Sequence, residues 1–183
     1  MVELFDALDA VLGLSPATDI ELLRGLFQVP GFDAVRNTWL ITAEDGELAG
    51  YGDAEERPEE GAVSTFGRVH PGHHGKGIGR ALVALMEARA AAIAAGRSMT
   101  IRNSIVAQDE RALALLSSLG YRHVRDFLHM ERSLDDLETP ELPAGVSIRT
   151  FNDGDAPLFY SIDTRSFEGQ WGMSARPFEE WHA

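Results

Sequence analysis

Residues 62–103 restrict the fold more than any other stretch of this chain. A strand-forming run, "AVSTFGRVH" (62–70), enters a glycine- and histidine-rich loop, then a long helical stripe, then the short strand "SMTIRN" (98–103). A strand, a long helix and a second strand make a crossover unit, which places the two strands in parallel in one sheet. Between Gly77 and Ala95 the apolar residues Ile78, Leu82, Leu85, Met86 and Ile93 share one helical stripe, and Gly96 supplies the stop. The loop itself, within "VHPGHHGKGIGRAL", holds the only lysine of the chain, Lys76, among the alternating Gly75, Gly77 and Gly79. Such glycines let backbone approach a ligand closely, and their N–H groups would face outward at a helix N-terminus, where the dipole favours an anion. A pyrophosphate suits that place.

Other readings of the loop fail on spacing. A nucleotide P-loop needs four residues between its first glycine and a Gly-Lys followed by Ser or Thr; here Gly72 stands too close and Gly77 follows Lys76. The dinucleotide fingerprint needs G-x-G-x-x-G and an acid at the end of the next strand, where this chain has Asn103. A metal reading would draw on His70, His73 and His74, but adjacent histidines on a glycine loop would need a carboxylate from elsewhere, and no cysteine is available. No metal is therefore expected.

The flanking sequence supplies the rest of an α/β domain. Leu4, Phe5, Leu8, Val11 and Leu12 predict a first helix ended by Gly13; Ile20, Leu23, Leu26 and Phe27 predict a second, capped by Thr18 or Asp19 and stopped at Pro30 and Gly31. "TWLIT" (38–42) and "ELAGYGDAEE" (47–56) flank Asp45-Gly46, a hairpin turn signal. Residues 109–119 predict a helix with Ala112, Leu115, Leu116 and Leu119 inward and Gly120 as stop, and "YRHVRDFLHMER" (121–132) reads as a further strand. The acidic 135–145 segment, "DDLETPELPAG", reads as a linker; "VSIRTF" then starts a new strand, followed by two helices. The expected division is a domain over 1–134, a linker over 135–145 and an extension over 146–183.

Composition narrows the function classes. With 183 residues and 44% hydrophobic residues the chain suits one full domain, or one domain and a fragment. A net charge of −13 opposes nucleic-acid binding. Lack of cysteine removes disulfides and thiolate catalysis. No apolar run approaches the roughly 18–20 residues of a membrane span, and the acidic start "MVELFDALDA" does not read as a signal peptide. A cytoplasmic protein with no membrane and no nucleic-acid partner is expected.

Taken in order, "VHP", "HHGKGIGRAL", the Asn103 strand end and "ALALLSSLGY" resemble the GCN5-related N-acetyltransferase (GNAT) family over roughly residues 1–133. The resemblance implies the acyl-CoA N-acyltransferase fold, an α/β fold with a mixed central sheet flanked by helices, and acetyl-CoA as co-substrate. The family loop Q/R-x-x-G-x-G/A falls on His74-Gly75-Lys76-Gly77-Ile78-Gly79. It implies that Gly75, Lys76, Gly77, Ile78, Gly79 and Arg80 wrap the pyrophosphate. Gly67, Arg68 and Val69 would pair by backbone with the pantetheine arm, and Asn103 would stand near it.

The same resemblance locates what catalysis lacks. Acetyl transfer to an amine needs a free amine, an oxyanion donor and an acid for the departing thiolate. Many family members carry an acid tyrosine four residues before the helix-ending glycine; counted back from Gly120, that position is Leu116. Ser117 and Tyr121 are the nearby substitutes, and Asp53, Glu55 and His70 are the candidate bases, water being the remaining one. The implied activity is direct attack of a primary amine of a small-molecule acceptor on acetyl-CoA. The alternative is a non-catalytic acetyl-CoA-binding half of a tandem protein, acting as a scaffold or regulatory module. The family's usual first strand has no counterpart at the start, whereas "GVSIRTFNDGDAPLFYSIDTRSFEG" resembles the first strand and helix of a second copy, as in mycothiol-synthase-type tandem acetyltransferases. That strand would join an open sheet edge in its own chain or in a neighbour, the latter forming a homodimer.

Overall fold

The computed structural model describes residues 1–15, 19–28, 32–128, 130–135, 137–171 and 176–182, apart from the side chains of residues 22 and 26. The expected caps and stops at Thr18, Pro30 and Gly31 lie outside the described residues. The chain forms two compact units, 1–123 and 124–183. The boundary falls before the acidic 135–145 segment.

The first unit runs α1 (Val2–Val11), α2 (Ile20–Phe27), α3 (Ala34–Asn37), β1 (Thr38–Thr42), β2 (Leu48–Arg57), β3 (Ala62–Val69), α4 (Ile78–Ala94), β4 (Thr100–Asn103) and α5 (Glu110–Ser118). The strands make one mixed sheet in the order β1-β2-β3-β4. Its first two pairings are antiparallel and β3–β4 is parallel, as the crossover through α4 requires. The four-residue α3 carries no apolar periodicity and was not anticipated; the Asp33 carboxylate caps it by accepting from the Arg36 N–H.

Each face of the sheet packs a different helix layer. Leu4, Phe5 and Leu23 of α1 and α2 bury Tyr51 on one face, with Phe66 against them. On the other, Leu82, Val83 and Met86 of α4 meet Leu116 of α5, and Ala90 meets Ala54 and Val63. Burying each large side chain contributes about 1.5–3 kcal/mol. The α4 stripe is turned from its expected position, since Val83 is inward while Leu85 is 41% exposed. A Cβ at Gly50 would stand 2.9 Å from Ile78 and one at Gly52 3.1 Å from Leu82, so these glycines of β2 make the floor on which α4 seats.

Two expected strands are absent. The described residues of 121–132 form no helix or strand, and neither do 146–151. Strand-forming side chains do not make a ladder without a partner edge. In 146–151 local bonds dominate instead: Arg149 forks onto the Asp155 carboxylate at 2.5 and 2.6 Å, and Asn152 and Asp155 close a capping box. The second unit carries α6 (Ala156–Ser166) and α7 (Phe178–His182), joined by an aromatic cluster of Phe159, Tyr160, Phe178 and Trp181.

One buried ion pair ties α1 to the sheet. Arg68 of β3 donates to Asp9 at 2.6 Å, with side chains 12% and 6% exposed, and its guanidinium lies over the rings of Phe5 and Phe66. Asp9→Ala, which leaves that guanidinium buried without its counter-charge, is expected to lower unfolding free energy by about 3–5 kcal/mol in urea denaturation. Arg68→Met in the same background should recover part of the loss.

Candidate functional site

The parallel pair β3–β4 separates midway. Its rungs run from Ala62–Thr100 to Thr65–Asn103, and the last rung is locked by side chains. The Thr65 hydroxyl donates to the Arg102 carbonyl at 2.8 Å and accepts from the Asn103 amide at 3.0 Å. Past this point β3 continues beside β2, while the other chain turns away so that Ile105 packs on the α4–α5 cluster. The His70 N–H donates to the Ala49 carbonyl at 3.0 Å, so alternation turns the backbone groups of Val69 and Gly67 away from β2 and into the gap.

The glycine loop closes one end of that gap. Gly75 and Gly77 hold φ of 77° and 82°, left-handed values that disfavour any side chain. Gly77 caps α4 without a side-chain hydrogen bond, leaving the Ile78, Gly79 and Arg80 N–H groups directed beyond the helix end. Gly79 serves packing, because a Cβ there would stand 3.0 Å from Leu115 Cδ2. The close approach of α4 and α5 that it permits forms the second wall.

The result is a cleft of about 320 Å³. Of the residues proposed from sequence, Gly67, Val69, His74, Gly75, Gly77, Ile78, Gly79, Arg80 and Asn103 line it. Arg68 and Lys76 do not: the Arg68 guanidinium is committed to Asp9 on the α1 side, and the Lys76 ammonium lies against His73. His74 is drawn inward, its Nε2 3.1 Å from the Val69 carbonyl, where it donates to one of the backbone acceptors in the gap.

Arg111 and Asp109 also line the cleft and were missed in the sequence. Asp109 caps α5 by accepting from the Ala112 N–H at 2.9 Å. The available signal was topological: α5 follows β4 as α4 follows β3, so both first turns lie at the carboxyl ends of parallel strands, where α/β folds gather ligands.

The proposed proton-handling residues lie elsewhere. Leu116, at the position where the acid was expected, does line the cleft, but it is 7% exposed, packed on Leu82, Val83 and Met86, and has no proton to offer. Ser117 is exposed on α5. Tyr121 packs against the same cluster, and burial first, then the Glu87 charge, raise its hydroxyl above the ordinary range. Glu55 pairs with Arg57 at 2.6 Å. Since Gly50 and Gly52 face α4, strand alternation puts Tyr51, Asp53 and Glu55 on the opposite face. There burial pushes the Asp53 carboxyl up to about 6; the hydrogen bond donated by the Tyr51 hydroxyl at 2.6 Å opposes this, and the Glu55 charge adds to it.

The histidines divide differently from their spacing in the sequence. Glu47, at the end of the β1–β2 turn, supplies the distant carboxylate that a metal reading lacked, and its ligand atoms and those of His70 and His73 lie within 4.8 Å of one another. His74 takes no part, being directed to Val69.

This fold and cleft define an α/β protein that presents a helix N-terminus without a side-chain cap beside a parted parallel strand pair. Residues 15–121 match the acetyltransferase (GNAT) family. The mycothiol acetyltransferase of Thermomonospora curvata is 33% identical over 180 residues, covering 92% of this chain and 56% of that protein. That of Kineococcus radiotolerans is 33% identical over 201 residues, covering 96% and 62%. The chain thus spans 56–62% of the length of these relatives. Among solved structures, a GCN5-related N-acetyltransferase from Sphaerobacter thermophilus superposes with a TM-score of 0.78 at 31% identity, over 98% of this chain and 57% of that one. A GNAT superfamily phosphinothricin acetyltransferase from Sinorhizobium meliloti, solved in complex with AcCoA, shares the fold at a TM-score of 0.50 and 19% identity, over 64% and 67% of the two chains. The chain belongs to the GNAT acetyltransferase family. No helix among the described residues is long and apolar enough to cross a membrane.

The Asp53 environment has a measurable consequence. The folded chain keeps this proton to about pH 6, whereas the unfolded chain releases it near the ordinary 3.8, so the unfolded state binds fewer protons in between. The stability contributed by this carboxyl is full below the ordinary value and is lost as pH rises through about 6. Urea denaturation of Asp53→Asn should show a flatter decline than the parent chain between about pH 4 and pH 6.5, the difference being on the order of 1–3 kcal/mol.

Proposed function

We propose that the chain is an N-acetyltransferase that binds acetyl-CoA in the cleft and passes its acetyl group to a primary amine of a small-molecule acceptor by direct attack. The observation that carries this reading is the parting of β3 and β4 beside an uncapped helix N-terminus, in a chain that belongs to the GNAT family. The pyrophosphate would lie on the Ile78, Gly79 and Arg80 N–H groups, with Arg80 and Arg111 supplying positive charge. The pantetheine amides would meet the free backbone edge at Gly67 and Val69, taking the place of a strand, as peptides do when they extend a sheet. For the second of these acceptors, the cofactor would displace His74 from the Val69 carbonyl. The name shared by the curated relatives makes amines related to mycothiol the first acceptors to test.

A second reading rests on Leu116. A buried leucine stands where the resemblance leads one to expect an acid, and the raised carboxyl of Asp53 faces away from the cleft. These features favour a chain half that holds acetyl-CoA without turning it over. The sequence resemblance of residues 146–183 to the opening of another GNAT domain fits the same tandem arrangement, with the acidic segment 135–145 as its linker.

Calorimetry separates binding from chemistry. Acetyl-CoA is expected to bind the parent chain, and Gly77→Glu, which forces a side chain into a left-handed position and adds negative charge to the cradle, should weaken it by about tenfold or more, equivalent to about 1.4 kcal/mol. Unchanged affinity in that variant would remove the cofactor from this loop. With binding established, CoA release in the presence of a panel of amines supports the transferase; binding without release from any of them supports the scaffold.

A further inference from the structure

Outside the cleft, Glu47, His73 and Lys76 form a hydrogen-bonded series. Lys76 is exposed, and its Nζ lies 3.1 Å from His73 Nδ1; the other ring nitrogen, Nε2, lies 2.9 Å from Glu47 Oε2. An ammonium has only protons to offer, so Nδ1 is the acceptor, and the neutral ring carries its proton on Nε2, where it donates to Glu47. The same reasoning orients His70. Its Nδ1 accepts from the Gly72 N–H at 3.2 Å, which leaves the Nε2 proton facing Glu47 Oε1 at 3.6 Å.

This placement of protons decides between two uses of the cluster. A metal held at Nε2 needs that lone pair free and an Nδ1–H that donates outward. Here both Nδ1 atoms accept, so a cation is disfavoured despite the short separations. What remains is an amine, an imidazole base and a carboxylate in series, the order in which activated nucleophiles are built. The His73 side chain is only 12% exposed, so the base is held in place while the amine stays open to solvent.

We propose that Lys76 is an acylation site, activated by His73 as general base, with Glu47 as the residue that positions the imidazole, and that its acyl donor is a thioester arriving from solvent. The Lys76 ammonium gives a proton to His73 Nδ1, and the neutral Nζ attacks the thioester carbonyl. A C–N bond forms and the C–S bond breaks. Of the two protons that nitrogen loses, one ends on the departing sulfur and the other passes to solvent through His73. The product is an amide, and the loop loses its lysine charge. That loss would weaken an anionic ligand on the loop; this consequence rests on the cofactor reading above, whereas the reaction itself does not.

The test uses the full chain and two donors: acetyl-CoA, and S-acetyl-N-acetylcysteamine, a thioester with no nucleotide. Because the chain has one lysine, the intact mass with peptide mapping reads the modified position directly. Folded chain should acetylate Lys76 about tenfold faster or more than the same chain unfolded in urea, with both donors. His73→Phe should reduce the folded rate to the unfolded one, and Glu47→Gln should reduce it in part, with circular dichroism showing that each variant is folded. If His73→Phe does not fold, Glu47→Gln carries the comparison. Equal rates in folded and unfolded chain with both donors overturn the proposal, as does an undiminished rate in the folded variants. Rapid reaction with the nucleotide-free thioester alongside no acetyl-CoA binding would sink the cofactor reading and leave this one standing.

Discussion

The parting of β3 and β4 after the Thr65–Asn103 rung is the constraint on which the rest of the first unit depends. A parallel pair that stayed closed would consume the backbone groups of Gly67 and Val69 in its own ladder and leave no cleft. The rung is held by side chains as well as backbone, since the Thr65 hydroxyl both donates to the Arg102 carbonyl and accepts from the Asn103 amide. Thr65 is 1% exposed, so neither bond competes with water. The strands are thus pinned at the last paired residue and free immediately after it. That defines an edge rather than a fraying end.

Helix packing keeps the edge open. The glycines of β2 let α4 lie close to the sheet, Gly79 lets α5 lie close to α4, and the Leu82–Met86–Leu116 cluster fills the angle between them. On the other face, Arg68 is held by Asp9 and by two aromatic rings, so the strand segment that faces the gap is fixed from behind. A buried ion pair is weak evidence for net stability, since both charges were taken out of water. Its more secure effect is to determine which way β3 points where its β4 partner has left.

Local signals carried much of this in the sequence. Alternating glycines between a strand run and a helical stripe located the loop, and the helix boundaries of α4 and α5 fall within a residue or two of those expected. What could not be read was long-range. Glu47 lies 26 residues before His73, yet the two meet at 2.9 Å, and Arg111 enters the cleft only because α5 starts at the carboxyl end of β4 as α4 starts at that of β3. The two strands expected at 121–132 and 146–151 have suitable residues, but a strand exists only when another edge accepts it, and sequence pattern does not say which edge is available. Arg149 illustrates the competition, being taken by Asp155 six residues on before any ladder forms.

Backbone donors and titratable side chains are distributed unequally over this fold. The cleft is built from backbone and from α4 and α5, which a glycine pattern can specify, so under the proposed function recognition of an anionic cofactor would ask little of side-chain chemistry. The carboxyl with a raised pKa lies on the face shared with α1 and α2, and the sheet separates it from that cleft. If Asp53 removes a proton from an acceptor amine, the amine must occupy the α1 face while the thioester reaches it through the gap past Thr65. The gap would then serve both halves of the reaction, as the backbone edge that holds the cofactor arm and as the passage that joins two faces. If instead no amine reaches that face, the same gap is only a binding edge. Leu116, buried at the base of the cleft with no proton to give, is then the residue that fits.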